Sequence, residues 1–424
     1  MSEQPAPQQP SAGRPSHFIP FHKADIIRMC LGEGKLAPQD HQSFQEFAKI
    51  LSALFHYEYH DRLETLKETY APLNPDEATR RVSAPTRQER DAAEKQFLAM
   101  LGEVLTGANF TELSRQEIQE SVSASPELGI FMEVDLDDFD QVRVFRRERH
   151  AERVTRKKLF GLVKKEVDQP VYDRVVLYLR FKDEVGAQGA IGSGQPGQAY
   201  LKLFSRVPAD GLEMLFPNAK MKMRLIDKLL IGVPAAVTGL IMLATKLAPT
   251  LLLVGALVMV WVGLRSQPVA IEQKHLVALG LALFALAAFL WKQFSKVKTK
   301  RMKYLRTLSE NLYFYVFDNN AGVLHHLIGA AEDEDFKEAL LGYYFLLTRA
   351  RPMTEEELDR EIEAWFAGAH GATLDFEVDD AVRKLERMGL AKRDAGGRLT
   401  VMTLAESKQR IDWLWDNFFS YNEG

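Results

Sequence analysis

Cysteine is almost absent from this chain of 424 residues, since Cys30 is the only one. A single cysteine excludes an internal disulfide framework and a cysteine-based zinc site, and it suits a reducing compartment. Residues 1–16 have no apolar core, which excludes a signal peptide or an anchor in that stretch. Their proline- and glutamine-rich composition predicts a disordered tail. Any membrane insertion would therefore have to be directed by a segment inside the chain.

What the chain does contain is a long block of low charge, residues 229–291. Within it, only Lys246, Arg265, Glu272 and Lys274 carry a formal charge. The block divides into three uncharged runs, 229–245, 247–264 and 276–291. The longest run would reach about 27 Å as a helix, just short of the roughly 30 Å hydrocarbon core of a bilayer. The pattern predicts a membrane region, and buried helices of a large core are the alternative.

Basic residues flank this block on both sides, as the positive-inside rule expects of segments on the cytoplasmic side. Residues 218–228 carry four basic residues and one acid, and residues 292–306 carry seven basic residues and no acid. We therefore expect a transmembrane helical hairpin of 247–264 and 276–291, with 229–245 at the interface or forming a third crossing. The predicted location is multi-pass, in a bacterial inner membrane or an organelle membrane. Both ends would lie on the cytoplasmic or equivalent side.

Residues 17–125 have the pattern of a mostly helical segment. Between Asp40 and Tyr70, apolar residues recur at helical spacing, and they are Phe44, Phe47, Leu51, Leu54 and Phe55. Pro72 then ends the helix, because proline lacks the donor that a helix needs. His56 and His60 are four residues apart, a spacing that suits one metal ion, but both lie well off the apolar stripe. We interpret them as exposed histidines.

From about residue 130 the apolar period changes to two, which is typical of strands. Alternation at 175–181 and 200–204, with further strands at 141–149 and 158–167, predicts a small, mostly antiparallel sheet in a β-rich domain at 130–217. Residues 192–197 match the G-x-G-x-x-G of dinucleotide-binding proteins. They are followed by a strand rather than a helix, so we interpret them as a loop and predict no cofactor.

Basic residues are concentrated between Arg143 and Lys165, with ten basic residues against two acids. A solvated hairpin is one interpretation. The other is attraction to anionic lipid headgroups, which contributes about 1 kcal/mol per basic residue near the surface. The candidate lipid-facing residues, here and after the apolar block, are Arg146, Arg147, Lys157, Lys158, Lys296, Lys298, Lys300 and Arg301. Nucleic acid is not an expected partner, because no nucleic-acid motif is present.

Residues 303–348 predict a pair of packed helices, with a turn at 318–322. His325 and His326 follow that turn and precede a group of acids at 332–338. Histidine and carboxylate together suit a divalent ion, which makes the two histidines weak metal candidates. Because the acids are contiguous rather than spaced along one helix face, we interpret them as a solvated surface and predict no metal.

Residues 353–420 predict a winged-helix-like module of two helices and a β-hairpin. Thr354 and Glu357 form a capping box that begins the first helix, and a second helix spans about 378–388. Two short strands, 391–394 and 398–402, flank a glycine turn. From Met353 to Asp416 there are 15 acidic and 9 basic residues. This acidic balance disfavours DNA binding and favours a protein-contact module.

Several segments resemble an uncharacterised membrane-protein family, the domain-of-unknown-function family that includes transmembrane protein 143. The similar stretches are 171–183, 201–204 with 212–217, and 318–323, and the resemblance extends from about residue 18 to 420. Its motif residues here are Arg174, Lys202, Asp318, Asn319 and Asn320. The resemblance implies a transmembrane pair and no established activity, and it supplies no catalytic residues. The chain departs from it in having three apolar runs.

The predicted fold is an α+β membrane protein with N-terminal helices, a small sheet, a transmembrane hairpin and a C-terminal helical region with a winged-helix-like module. The predicted function is a membrane-anchored scaffold or adaptor that contacts anionic lipid and protein partners, with a homo-oligomer as one option. Alternatives are a membrane-bound metal-dependent enzyme that uses His325 and His326, and an oligomeric pore or transporter. No catalytic residue and no cofactor are predicted.

Overall fold

The computed structural model describes two long parts of the chain, residues 16–222 and residues 315–419. Within the first part it leaves short gaps, at 77–82, 84, 124–130, 159–162, 184–186, 189–192, 195 and 210. Between 223 and 314 it describes scattered residues, of which the longest continuous run is the helical stretch 287–296. The predicted tail at 1–16 lies almost wholly outside the described residues.

The first part of the chain is mostly helical up to residue 123, with one short strand at 111–112. Its helices are α1 (Lys23–Gly32), α2 (His41–Tyr70), α3 (Arg87–Gly107) and α4 (Arg115–Ser123), with a 3-10 turn at Pro38–Asp40. α2 ends where it was expected to end, and the five residues of its predicted apolar stripe are all buried. α3 begins with a capping box between Thr86 and Glu89. Cys30 on α1 is buried, and burial raises the pKa of its thiol well above the usual value.

A five-stranded antiparallel sheet follows. The strands are β1 (Thr111–Glu112), β2 (Phe131–Glu133), β3 (Phe139–Lys158), β4 (Val163–Phe181), β5 (Ala187–Gln188), β6 (Ser193–Gly194), β7 (Ala199–Pro208), β8 (Lys220–Lys222) and β9 (Val316–Asn319). The five-stranded sheet has the order β1-β3-β4-β7-β9. β2 pairs with β8, and β5 pairs with β6 inside the glycine-rich loop. β3 and β4 form one long hairpin where the sequence predicted shorter strands.

Side chains alternate in direction along each strand, so both faces of the sheet carry apolar residues, and both faces are covered. On one face, Val176, Tyr178 and Leu201 join the main core with the helices. On the other face, Val175 and Leu177 pack in a second core with the 3-10 turn Leu212–Leu215. Successive residues of the alternating pattern at 175–181 therefore belong to two different cores.

Buried polar groups fix α3 on the sheet. The guanidinium of Arg180 donates to Oε2 of Glu94 at 2.5 Å, and the hydroxyl of Tyr178 donates to Oε1 of the same carboxylate at 2.6 Å. Asp91 accepts a further bond from Arg180 at 2.9 Å. Because Glu94 and Arg180 are both buried, each depends on the other for its charge to be compensated.

The second part of the chain completes this core. α5 (Ala321–Arg349) packs against α1, α2 and α3, and every residue from Glu334 to Leu346 is buried. After it come α6 (Glu355–His370), α7 (Val378–Arg387), β10 (Ala391–Arg393), β11 (Leu399–Val401) and α8 (Leu404–Asp416). The capping box at Thr354, the second helix and the hairpin occur in the predicted order. α6 and α7 pack on α5, and α8 packs on α2.

The predicted transmembrane hairpin requires correction. Among the residues that the structure describes, no helix combines the length and the apolar character needed to cross a bilayer. Runs 229–245, 247–264 and 276–291 themselves lie largely outside the described residues. The longest described stretch in this region, 287–296, is helical and contains Lys292 and Lys296. The membrane fold class and the multi-pass location are therefore not supported, and the described architecture is α+β with a five-stranded antiparallel sheet.

The expected helical pair at 303–348 also requires correction. Residues 316–319 form β9, an edge strand that pairs with β7, so the turn at 318–322 joins a strand to a helix. Most of 303–314 lies outside the described residues. Alternation of Val316 and Asp318 over only four residues is too short a signal to distinguish a strand from the end of a helix.

Candidate functional site: a basic β-ribbon

The hairpin of β3 and β4 extends well beyond the sheet. β7 pairs with β4 only from Val171 to Arg180, and β1 pairs with β3 only at Phe145 and Arg146. Residues 151–158 and 163–170 pair with each other and with no other described strand, and we call them the outer ribbon. Eight residues of strand reach about 26 Å. The ribbon therefore projects from a well-packed base.

Charge is graded along the outer ribbon. Near its base, Arg153 stands opposite Asp168 at 3.6 Å, and Glu152 forms an ion pair with Arg206 of β7. Toward the end, Arg156 is in register with Lys165, and Lys157 with Lys164. Lys158 stands opposite Val163. Five cations, Arg156, Lys157, Lys158, Lys164 and Lys165, thus form a group with no acid opposite any of them in the register, and we call this group the ribbon tip.

Like charges directly opposite each other on paired strands destabilise the pairing by roughly 0.2–1 kcal/mol each. Two such pairs follow one another here, and an anionic ligand would reduce the repulsion between them. The sequence joins the two strands by Leu159, Phe160, Gly161 and Leu162, which lie outside the described residues. The ribbon tip is therefore the part of the predicted basic stretch whose placement is best suited to a polyanionic surface.

Two of the candidate lipid-facing residues lie at the base of the ribbon instead. Arg147 is buried, its guanidinium bonds the carboxylate of Asp173 at 3.0 Å, and it lies 4.2 Å from the ring centre of Phe18. Arg146 lies over the ring of Tyr172 at 5.4 Å. Arg147 thus anchors residue 18 and the sheet to each other, and its charge is not available to a surface.

The candidates after the apolar block are separate from the ribbon in sequence. Lys296 and Lys298 are exposed on described helical residues. Lys300 and Arg301 lie outside the described residues. Lys157 and Lys158 belong to the ribbon tip. The structure consequently brings together only part of the predicted basic set.

His325 and His326 are both exposed at the beginning of α5. Nε2 of His326 lies 3.0 Å from the carboxylate of Asp318, and its ring packs edge-on against Phe317. The other predicted pair, His56 and His60, is also exposed, and His56 lies 3.0 Å from Glu332. Within the described parts of the chain, neither pair belongs to a group of three ligands close enough to hold an ion.

Three carboxylates do lie within 4.8 Å of one another, and they are those of Asp335, Glu338 and Asp380. The ammonium of Lys384 already occupies the centre of this group, at 2.6 Å from both Asp335 and Glu338 and 2.5 Å from Asp380. The hydroxyl of Tyr59 donates to Asp335 at 2.8 Å. We call these five residues the ionic cluster. It joins α2, α5 and α7 through a buried cation, so its arrangement is that of a structural contact.

This cluster was missed in the sequence, where the acids at 332–338 were read as a solvated surface. That reading is wrong for Glu334, Asp335 and Glu338, which are buried. Glu334 accepts from the backbone N–H of Ile19 at 3.1 Å and pairs with Lys337 at 2.5 Å. The available signal was the run of apolar residues on both sides of the acids, which leaves no polar face to the helix.

Residues of the family-like motif meet where β9 leads into α5. Oδ1 of Asn320 accepts from the hydroxyl of Tyr70 at 2.8 Å and from the backbone N–H of Leu201 at 3.2 Å. Its φ is 50°, an unusual value for a residue other than glycine. Lys202 is in register with Asn319, and burial lowers the pKa of its ammonium group. Arg174 lies over the ring of Phe317 at 4.9 Å. These residues fasten α5 to the sheet.

Comparison with known families matches part of the chain to a family model. Residues 172–322 match the model of a family described as a protein of unknown function, DUF3754. The matched segment contains Arg174, Lys202 and the 318–320 motif. It supports the predicted resemblance to a domain of unknown function, but it provides no link to transmembrane protein 143 or to membrane proteins. No solved structure matches the chain.

Proposed function

We propose that this protein is a scaffold that binds an anionic phospholipid surface from the aqueous side through the ribbon tip. The observation that carries the proposal is the register of β3 and β4, which places Arg156 opposite Lys165 and Lys157 opposite Lys164. No acid stands directly opposite any of these four cations in the register. An anionic surface would supply the missing counter-charge.

The electrostatic free energy of the five tip cations is large enough for reversible binding to an anionic surface. At about 1 kcal/mol for each basic residue near an anionic leaflet, five cations contribute about 5 kcal/mol. That corresponds to a preference of roughly 10³- to 10⁴-fold for anionic over neutral vesicles. Because exposed charges are screened over about 8 Å at physiological ionic strength, the preference should fall steeply when salt is added.

A protruding ribbon is also suited to such contact by its geometry. The base is held rigidly, because Arg147 is fixed by Asp173 and β4 is paired on both sides from Val171 onward. The tip would reach a flat surface before the bulk of the two cores does. The remaining surfaces would then stay free for protein partners, as a scaffold requires, and the acidic C-terminal module is one such surface.

Vesicle binding of the full chain tests the proposal. The protein is mixed with vesicles of neutral phosphatidylcholine, or of the same lipid with phosphatidylserine, and the bound fraction is measured by flotation. Glutamine replaces four tip cations together, Arg156, Lys157, Lys164 and Lys165. We expect this variant to lose roughly 10³-fold in its preference for the anionic vesicles, at about 1 kcal/mol per cation removed.

A matched control removes four exposed cations from other elements, Arg28, Lys35, Arg360 and Lys392. This variant has the same net charge as the tip variant and should keep most of the preference. Equal loss in both variants would show a general charge effect and would refute a site at the ribbon. The same conclusion would follow if wild type did not distinguish the two vesicles, or if it bound a nucleic acid duplex and not the vesicles.

A further inference from the structure

A cluster of exposed aromatic rings lies where the end of α8 meets α2. The ring of Tyr57 on α2 packs edge-on against three rings, with centroid distances of 5.9 Å to Trp415, 4.8 Å to Phe418 and 5.2 Å to Phe419. We call these four residues the aromatic face. Since the rings are held against one another, the face presents a fixed shape at little cost in side-chain entropy.

The aromatic face is unusually exposed for its composition. Trp415 is 42% exposed, Phe418 is 38% exposed and Phe419 is 50% exposed. A large aromatic side chain has roughly 200 Å² of surface, so these three leave about 260 Å² of apolar area in contact with water. The largest apolar patch on a typical monomer is roughly 300–600 Å² and is often functional, and half-buried Tyr57 extends this patch toward that size. A contact surface is therefore indicated at this end of α8.

A groove of about 380 Å³ adjoins the face, between α2 and α8. Ile50, Ala53 and Trp415 form its apolar part. Its charged lining residues are Glu46, Lys49, Lys408 and Asp412. Glu46 and Lys408 compensate each other, since their charged atoms are 2.5 Å apart. Lys49 and Asp412 are both exposed and take part in no ion pair among the described residues.

The groove therefore presents one uncompensated cation on α2 and one uncompensated anion on α8, next to an apolar patch. We propose that the occupant of this surface is a second copy of the same chain, related by a two-fold axis through the groove. In such a pair each surface meets an identical surface, so that Lys49 of one copy faces Asp412 of the other, twice. The apolar area of each aromatic face is covered at the same time.

Charge is what selects this occupant. A partner that is acidic throughout would repel Asp412, and one that is basic throughout would repel Lys49. A copy of the surface itself carries both signs, one on α2 and one on α8. The proposal concerns α2 and α8 only, so it does not depend on lipid binding by the ribbon tip.

Charge exchange in the full chain tests the dimer. The variants Lys49→Glu and Asp412→Lys each place two pairs of like charges in the homodimer, and each should weaken self-association by roughly 10- to 100-fold. When the two variants are mixed, the carboxylate introduced at position 49 of one chain meets the ammonium introduced at position 412 of the other. In the second contact of that mixed pair, the original Asp412 meets the original Lys49. The mixture should therefore dimerise as tightly as wild type, and so should the double variant alone.

Self-association is measured by sedimentation velocity over a range of protein concentrations, and pairing in the mixture by co-purification of two differently tagged chains. Circular dichroism checks that every variant is folded.

Two tryptophans of α8 provide a matched comparison for the apolar contact. Trp415 lines the groove, whereas Trp413, 53% exposed, lies under the guanidinium of Arg410. Trp415→Ala should weaken the dimer and Trp413→Ala should leave it unchanged.

Several outcomes would overturn the proposal. One is a wild type that stays monomeric over the whole range of protein concentrations measured. Another is a dimer that neither charge variant weakens, which would place the contact elsewhere. A third is loss of the dimer in both variants without recovery in their mixture, because a surface that binds a different protein, or a non-specific apolar contact, would not respond to complementary charge exchange. Among these results, only recovery of the dimer when the two charge variants are mixed supports the two-fold arrangement.

Discussion

Glu338 in the ionic cluster provides a sharp test of how burial controls charge in this fold. Burial raises the pKa of its carboxyl from 4.5 to about 8, although Lys384 beside it acts in the opposite direction. The acids facing it from its own helix, Glu334 and Asp335, raise the pKa further, and Asp380 shares the same lysine. The folded protein therefore holds a proton on Glu338 over a pH range in which the unfolded chain has released it.

The sign of the pH dependence follows from this difference. Because the pKa is higher in the folded state, the contribution of Glu338 is fully present below pH 4.5 and is lost as the pH rises through about 8. At about 1.4 kcal/mol for each pH unit between the two values, the loss amounts to about 5 kcal/mol. Such a change is comparable with the whole stability of many domains.

Glu338→Gln removes this titration and keeps an oxygen that can accept from Lys384. We expect the free energy of unfolding of wild type to fall between pH 4.5 and 8 by about 5 kcal/mol more than that of the variant. Urea denaturation followed by tryptophan fluorescence measures both. As a control, Asp333→Asn changes an acid on the same helix that is 53% exposed, and its pH profile should parallel that of wild type. Parallel profiles for wild type and Glu338→Gln would refute the reasoning.

Two further substitutions test the polar contacts that fix the helices on the sheet. Arg180→Met leaves the carboxylate of Glu94 buried without its cation and should cost about 3–5 kcal/mol in the urea-determined free energy of unfolding. Adding Glu94→Gln to that variant should recover part of the loss, and no recovery would contradict the pairing. Asn320→Ala removes the acceptor used by Tyr70 and Leu201 at a positive φ, and it should cost about 2–4 kcal/mol. Asn320→Gly should cost less than alanine, because glycine adopts this φ without strain; an equal or greater cost would show that strain is unimportant.

Local patterns in the sequence were sufficient for the elements whose own residues determine them. The stripe of α2, the capping box at Thr354 and the alternation at 175–181 each arise from side chains a few positions apart, and each corresponds to an element of the structure. The same holds for the hairpin of β10 and β11.

Contacts between distant residues were not accessible in this way. Glu338 accepts a hydrogen bond from Lys384, 46 positions along the chain, and Arg147 pairs with Asp173, 26 positions along. Without knowing these partners, charged residues were assigned to the surface in both places. β9 was missed because four residues carry too little pattern and its pairing partner, β7, lies more than a hundred positions earlier.

For the central block, low charge and basic flanks led to the expectation of a transmembrane hairpin, and no described helix meets the length and polarity required of one. The basic stretch at 143–165 lies within the hairpin of β3 and β4, where the sequence predicted separate strands at 141–149 and 158–167, and its division into a buried base and a projecting tip depends on the register of β3 and β4. That register is set by pairing over the whole hairpin, and composition does not reveal it.

The late position of α5 has a consequence for how this protein is made. The apolar stripe of α2 emerges from the ribosome more than 250 residues before the helix that covers it has been completed. At roughly 5–20 residues per second, that interval lasts tens of seconds. Over this time Phe44, Phe47 and the edge of β7 have no permanent cover, because β9 is also synthesised late. Nascent chains of this protein are therefore expected to need a holding chaperone, and translation that stalls between β8 and β9 should yield a product that aggregates.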